Sequence, residues 1–556
     1  MHSHEPRETN NNNFRILLLS LGALILIHGF VLYYIFNYGP LRGVIPYDDC
    51  GIILRGLQNL ELLARAQTIG EFLTNARHLT IHSPITDFQV LVGLILSDGA
   101  NWGPYALNII WPAIALYGLY IATGTKDTWL LAISSIFLLL SPLTMTGMWW
   151  LKSDWYGGVL LMTAMYVLFV AAETDRTNLK FVGSVFLALV LLSKMTAFYQ
   201  PGPVLAVFAS FELYSFLKQR ESEGAGHKAD SVFGAFVHFA RTRLWLWIAC
   251  ALIIVGPYCL FFYQSRGHFL YYIDWALSPI WKDHLSVAGR IAHYMPTSTD
   301  MRYAWGVLHL QFPILLAIAI AASVLAGRRA HLYLVALLGI VIVIFFAPII
   351  IAQTSDPSYS AVALGAFSGA TLVLMGILGK NLPRYGLAIA SAVVIILAPF
   401  TQLTFTSRNV INGELVRRDE VMTLYRVQKG IASDIAALRP TSLRRIMYTF
   451  DDMLAPITNL AIHYFWLTGQ FVEIWRIDDL SQDSKAQLKK VNFVISYVPA
   501  SPDTKLYRLY FRWANSSQPV AADAVVREDG GFRLVKSYPI NDGEIRLYEA
   551  VTPPAS

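Results

Sequence analysis

FRILLLSLGALILIHGFVLYYIF, residues 14–36, carries Arg15 at its edge and then 21 residues without a formal charge. An α-helix needs about 20 apolar residues to cross the hydrocarbon core of a bilayer. The run is longer than a signal-peptide core, and no small-x-small cleavage site follows it. It reads as an uncleaved first transmembrane helix, with the polar residues 1–13 as a cytoplasmic N-terminal tail.

The rest of the chain agrees. Of 556 residues 55% are hydrophobic and 14% charged, against about 25% charged in a typical globular domain. The mean hydropathy is +0.47. The charge is unevenly spread: residues 404–556 hold 36 of the 80 Asp, Glu, Lys and Arg residues. A membrane-embedded body, 14–403, is therefore joined to a water-soluble tail, 404–556. The net charge of +6 sits mainly in short loops between apolar runs. That pattern orients membrane helices and does not make a nucleic-acid surface. Cys50, Cys250 and Cys259 have no zinc-type spacing, and no structural disulfide is expected.

Ten further apolar runs follow, at 103–123, 128–147, 155–172, 180–200, 203–217, 243–264, 305–326, 332–352, 359–378 and 385–403. Eleven crossings place the tail on the side opposite the N-terminus. The basic loops GTKD, ETDRTNLK, GRRAH and GKNLPR then all face the cytoplasm, as the positive-inside rule requires. ITDFQVLVGLIL, 85–96, is too short to cross and reads as an in-plane or re-entrant helix, with Ser83 as N-cap and Pro84 as first helical residue. YDDCGIILRGLQNLELLARAQ, from 47, has the apolar spacing of an interfacial amphipathic helix. Together they make 38–102 an outer loop module; 265–304 is a second outer loop. In the tail, strands at RRIMYTF, QFVEIWRI and VNFVISYV, helices at DMLAPITNLAIHYFW and SKAQLKK, and a closing hairpin GFRLVKSYPINDGEIRLYEA describe a small α/β domain.

Several polar residues stand where an apolar chain must account for them. Asp48 and Asp49 follow the first crossing; Asp48 can cap the amphipathic helix with Asp49 as a favourable charge in its first turn, or the pair can act chemically. Asp154, in MWWLKSDWYGG, is an interface charge paired with Lys152 or a second acid facing the first. Lys194, in LLSKMTAF, is an ionisable group inside an apolar run or a lysine snorkelling to the interface. HLTIHSPITD offers His78, His82 and Asp87. Loop 265–304 is rich in aromatics, with cations including Arg266 and Arg290, a composition that suits a sugar and a phosphate and equally an ordinary interfacial loop. Asp451–Asp452 reads as a strand-to-helix turn. No Walker loop, GxGxxG fingerprint or GxSxG elbow is present.

PYDDCGI, HSPITDF, LKSDWYGG and LLSKMTAF, in that order within roughly residues 14–200, resemble the membrane-embedded GT-C glycosyltransferases. The likeness is to the branch of protein O-mannosyltransferases and lipid A aminoarabinose transferases. The chain differs from that branch in Asp49, where Glu is common, and in a single proline after His82. The resemblance implies a polytopic α-helical GT-C-like membrane domain with an extracytoplasmic C-terminal domain in the cytoplasmic membrane of a bacterium. It implies transfer of a sugar from a polyprenyl-phosphate donor to an acceptor hydroxyl on a cell-envelope glycan, lipid or protein at the outer face. Asp48 would be the general base, with Asp49 and Asp154 beside it. Lys152, Lys194, His82, Arg266 and Arg290 would hold the donor, with no dedicated metal ligands, although two acids leave room for a divalent cation. Membrane lipid, and no nucleic acid, completes the set of partners. A transporter or flippase for an amphipathic solute is the alternative; it would place its acids near mid-membrane in two pseudo-equivalent halves. A non-catalytic envelope scaffold is a third reading.

Overall fold

The computed structural model describes residues 5–38, 47–79, 83–123, 128–151, 153–193, 199–222, 230–268, 286–288, 337–340, 342–344, 359–381, 418–438, 444–448, 456–476, 486, 488–501, 519–540 and 543–552. The expected crossings at 305–326 and 385–403, and Asp451–Asp452, lie outside these residues.

The first helix, α1 (Glu5–Tyr38), includes the quoted run and extends back through most of the polar tail. It is followed by α2 (Tyr47–Arg65), α3 (Ile69–Leu79), α4 (Pro84–Leu96) and α5 (Trp102–Ala106). Next come α6 (Ile110–Thr123), α7 (Thr128–Leu140), α8 (Pro142–Trp149), α9 (Ser153–Thr174) and α10 (Thr177–Ser193). The membrane body continues with α11 (Pro201–Ser222), α12 (Asp230–Phe239), α13 (Trp245–Arg266) and α14 (Tyr359–Asn381). Among the described residues four helical stretches are long and apolar enough to span a bilayer: Asn11–Asn37, Trp102–Thr123, Ser153–Thr174 and Phe236–Gln264. The run expected as one crossing at 128–147 is two helices, α7 and α8, bent by 46°. Ser141 ends the first and caps the second, accepting from Leu143 N, and Pro142 supplies the fixed φ of a first helical residue. The chain is an integral membrane protein.

Helix α9 is the centre of the bundle. Its side chains are buried from Tyr156 to Phe169, and its largest interfaces are with α10 and α14. Close approach is made by glycine: a Cβ on Gly365 of α14 would lie 2.5 Å from the Gly158 carbonyl oxygen of α9. Small residues let helix backbones meet in lipid, where apolar side chains gain nothing by leaving the hydrocarbon. The expected N-cap of α4 is present: Ser83 Oγ accepts from Thr86 N at 3.2 Å, while Ser83 O accepts from Asp87 N at 3.0 Å. Helix α2 begins at Tyr47, so Asp48 and Asp49 lie inside its first turn; Asp48 is not the residue that precedes it.

By contact the chain divides into two units. One comprises 1–32, 62–96 and 103–409; the other comprises 33–61, 97–102 and 410–556. The tail is thus joined by most of α2. It contains α15 (Arg418–Leu438), β1 (Arg444–Tyr448), α16 (Pro456–Thr468), β2 (Val472–Arg476) and β3 (Phe493–Pro499). It closes with α17 (Pro519–Glu528), β4 (Phe532–Ile540) and β5 (Gly543–Ala550). The five strands form one sheet in the order β2-β1-β3-β5-β4. β1 runs parallel to β2 and β3, and β5 antiparallel to β3 and β4. Alternation along the strands sorts the core: Ile446, Phe493 and Ile495 pack with Val427, Ile431 and Ile435 of α15 and Leu460 and Tyr464 of α16. Met447, Val494 and Tyr548 pack on the other face with Val526 of α17. Leu54 of α2 packs against the first of these clusters.

Candidate functional site

Asp154 stands in the first turn of α9 and is 3% exposed. Carboxylates are favoured at a helix N-terminus, where backbone N–H groups lack partners, but burial among apolar helices demands more than that. The surroundings supply polar groups. Tyr156, one residue beyond Trp155, is fully buried and its hydroxyl bonds Thr86 Oγ1 of α4. Thr86 Oγ1 in turn lies 2.6 Å from Ser83 Oγ, and Ser83 Oγ donates to the Leu192 carbonyl of α10 at 3.5 Å. Asp87, 2% exposed, and Asp154 both act electrostatically on the Tyr156 hydroxyl. On the other side Gly157 faces Ser193 so closely that a Cβ there would meet Ser193 Oγ at 2.8 Å.

Three of the sequence motifs therefore converge. HSPITD contributes Ser83, Thr86 and Asp87; KSDWYGG contributes Asp154, Tyr156 and Gly157; LLSKM contributes Leu192 and Ser193. The fourth, PYDDCGI, places Asp49 fully buried in the first turn of α2, in the other unit, beside buried Cys50. Asp48 is helical, and its side chain is outside the described set, as is that of Arg266, the last residue of α13. Lys152, Lys194, His82 and Arg290 also lie outside it; the first three adjoin converging residues in the chain. Among the described residues no three His, Cys, Asp or Glu side chains come together as metal ligands.

A second polar cluster lies at the far end of α9 and α10. Lys180 is fully buried with its ammonium 2.7 Å from the Glu212 carboxylate of α11. Arg243 reaches the same carboxylate at 2.8 Å and binds Asp175 through both terminal nitrogens. Trp247 Nε1 donates to Glu212 at 3.2 Å, and the Lys180 ammonium stands 5.7 Å from the Trp247 ring centroid. Arg243 sits in a single π-helical turn, Ala240–Leu244, between α12 and α13. Burial pushes the Asp175 carboxyl up, but hydrogen bonds and charge from Arg243, then Lys180, outweigh it and hold the group below its ordinary range. The sequence reading did not single out this cluster; Glu212, an acid inside a run counted as apolar, is the sign that could have shown it.

With the bundle, the attached sheet domain and the buried acids in view, comparison with solved structures decides the fold. ArnT from Cupriavidus metallidurans bound to undecaprenyl phosphate superposes with a TM-score of 0.55 at 14% identity, over 97% of this chain and 98% of that one. This chain has the GT-C fold. ArnT in the apo state gives a TM-score of 0.52, also at 14% identity, over 95% of this chain and 97% of that one. Archaeal oligosaccharyltransferase AglB from Archaeoglobus fulgidus, in complex with an inhibitory peptide and a dolichol-phosphate, gives 0.45 at 12% identity, over 96% of this chain and 74% of that one. No protein-family model matches the sequence, and a comparison with curated proteins finds no match. The GT-C likeness extends the motif-based resemblance, which covered roughly 14–200, to nearly the whole chain.

The site residues missed by sequence reading are neutral ones. Trp111 of α6 stacks on Tyr156 with ring centroids 4.9 Å apart and planes 13° from parallel. Gln89 of α4 and Asn108, between α5 and α6, continue the polar network behind it. No spacing rule links such residues; only a tryptophan and two amides within apolar stretches hinted at them.

Proposed function

We propose that the chain is a GT-C glycosyltransferase that moves a sugar from a polyprenyl-phosphate donor to an acceptor hydroxyl, with inversion at the anomeric carbon. The observation that carries this is the convergence of Asp154, Asp87 and the Lys194-flanking end of α10 in one buried polar cluster, within a fold that ArnT presents with undecaprenyl phosphate bound. A polyprenyl donor keeps its lipid in the bilayer and its reactive carbon at the interface. The acceptor hydroxyl is a poor nucleophile at neutral pH, and a positioned carboxylate that takes its proton contributes typically 10²–10⁴-fold. Asp48 is assigned that role, with Asp49 and Asp154 shaping the site. The leaving group is a lipid phosphate, already anionic, which needs cations and not a proton. Lys152, Lys194, Arg266 and Arg290 are assigned to it, and His82 to the sugar. Attack opposite the phosphate inverts the centre, as in inverting glycoside chemistry.

The reading places the chain in the cytoplasmic membrane of a bacterium, N-terminus inside and tail outside, with a glycan, lipid or protein of the envelope as acceptor. The full chain in lipid nanodiscs, supplied with a panel of radiolabelled polyprenyl-phosphate sugars and envelope extract, tests it. Wild type is expected to release polyprenyl phosphate and label an acceptor, and Asp48→Asn to lose at least 100-fold of that rate while still binding undecaprenyl phosphate. Full activity in Asp48→Asn removes the base; no release from any donor removes the enzyme.

A further inference from the structure

The end of α8 and the start of α9, which carries Asp154, are held by a set of side chains to which the transfer chemistry gives no task. Asn108 is fully buried, and its Nδ2 donates to the carbonyls of Met148 at 3.2 Å and Trp150 at 3.1 Å. These are a carbonyl of the last turn of α8 and that of its C-cap, which no further helical turn can satisfy. Asn108 Oδ1 accepts from Gln89 Nε2 at 2.5 Å, and the same Nε2 donates to Pro104 O at 3.2 Å. Gln89 Oε1 accepts from Trp111 Nε1 at 2.6 Å. The stack of Trp111 on Tyr156 and the Tyr156–Thr86 bond complete the circuit.

The direction of every bond made by the two amides is forced. An indole N–H can only donate, so Gln89 must turn its oxygen to Trp111 and its NH₂ to Asn108. Asn108 must then present its own NH₂ to the two carbonyls. One consistent arrangement therefore holds the backbone on either side of Asp154: Met148 and Trp150 by Asn108 upstream, and Tyr156 between Trp111 and Thr86 downstream. Apolar side chains could fill the same volume without fixing any backbone orientation. Fully matched polar networks in a low-dielectric interior specify one geometry.

We propose that Gln89 and Asn108 are positioning residues for Asp154, setting the backbone from which its side chain meets the donor. The proposal rests on the transferase reading. A misplacement of about 1 Å at a reacting group can cost about 100-fold in rate, so the effect belongs in kcat.

The test compares wild type, Asn108→Leu, Asn108→Asp and Trp111→Phe as full chains in nanodiscs. Two readouts are taken: amide hydrogen exchange by segment, and kcat against KM for the lipid donor. Asn108→Leu and Asn108→Asp both lose the donors to Met148 and Trp150, and Trp111→Phe keeps the stack but loses the N–H. Exchange over 148–156 is expected to quicken at least tenfold in both Asn108 variants, with the interior of α9 unchanged. kcat is expected to fall about 10- to 100-fold with KM within about twofold, and Trp111→Phe to lie between these and wild type. Unchanged kcat, or faster exchange along the whole of α9, overturns the proposal: the first denies any positioning effect, and the second makes the network merely structural. If wild type itself releases no polyprenyl phosphate, the transferase reading fails, while the exchange data still decide whether Asn108 sets this segment.

Discussion

At its first turn α9 sets Asp154 beside Tyr156, Thr86 and, through Trp111, Gln89 and Asn108, so that every hydrogen bond traced there joins neutral groups. Twenty-one residues later, roughly 32 Å along the axis at 1.5 Å per residue, the same helix gives way to Asp175, which is locked to Arg243 and through it to Glu212 and Lys180. Both ends bury polar groups in an apolar bundle. The far end does so by compensation: two cations and two carboxylates cancel, and each long side chain is spent on another. Such a cluster fixes three helices and a π turn against each other. The near end holds backbone with neutral groups: amides, hydroxyls and an indole.

The sharpest break of this comparison is Asp154→Asn, which keeps the shape and removes the charge. On the proposed reading transfer is expected to fall about 10²- to 10³-fold, the scale of a misplaced or mischarged reacting site, with the thermal midpoint of the full chain unchanged; initial rates and a melting curve check it. Glu212→Gln should do the reverse. It takes from Lys180 and Arg243 their shared buried carboxylate and leaves them only the half-exposed Asp175, and breaking a buried pair costs about 3–5 kcal/mol. The variant is expected to lose stability heavily while the rate per folded molecule stays within about twofold. Adding Lys180→Met should restore at least ~1 kcal/mol, because contacting charges are not additive.

A third environment, in the tail, sharpens the contrast by titrating inside the working range. Burial, with some help from the charge of Lys429, lowers His463 from 6.5 to about 4. The folded state then binds a proton less readily than the unfolded one, so stability rises with pH between about 4 and 6.5 and is lost as pH falls through that window. At 1.36 kcal/mol per unit, discounted for a side chain partly open to solvent, the loss is about 2 kcal/mol. Amide protection across α16 should weaken from pH 7 to pH 4.5, and His463→Gln should flatten that dependence. Asp434 acts in the same direction at lower pH: burial raises its carboxyl, but Lys536 and Tyr538 hold it lower overall. The smallest effect is expected from Thr86→Val, which removes the partner of the Tyr156 hydroxyl for about 1 kcal/mol and a few-fold in rate.

Much of this was legible because membranes make patterns coarse. A run without charge is a span, a proline after a serine is a helix start, and Ser83–Pro84 and Ser141–Pro142 are both such starts. The hairpin of the tail and three of its strands followed from alternation. The break inside 128–147 did not, since Ser141–Pro142 also fits an uninterrupted apolar count. Nor did α15 and α17, whose apolar residues are diluted by charge. At the candidate site the carboxylates stood out because their burial is costly. Gln89, Asn108 and Trp111 did not, because an amide acquires meaning only from the group opposite, and here that group is 19 or 22 residues away.

The packing of Leu54 of α2 into the core of the tail has a consequence for biosynthesis. Residues 33–61 belong with 410–556, yet they leave the ribosome first and their partners last. At about 5–20 residues per second the helix bearing Asp48 and Asp49 waits roughly 20–100 s for the strands it rests on. A chain released early would therefore carry both acids on an unsupported helix, and the acid pair would reach its final setting only in full-length molecules.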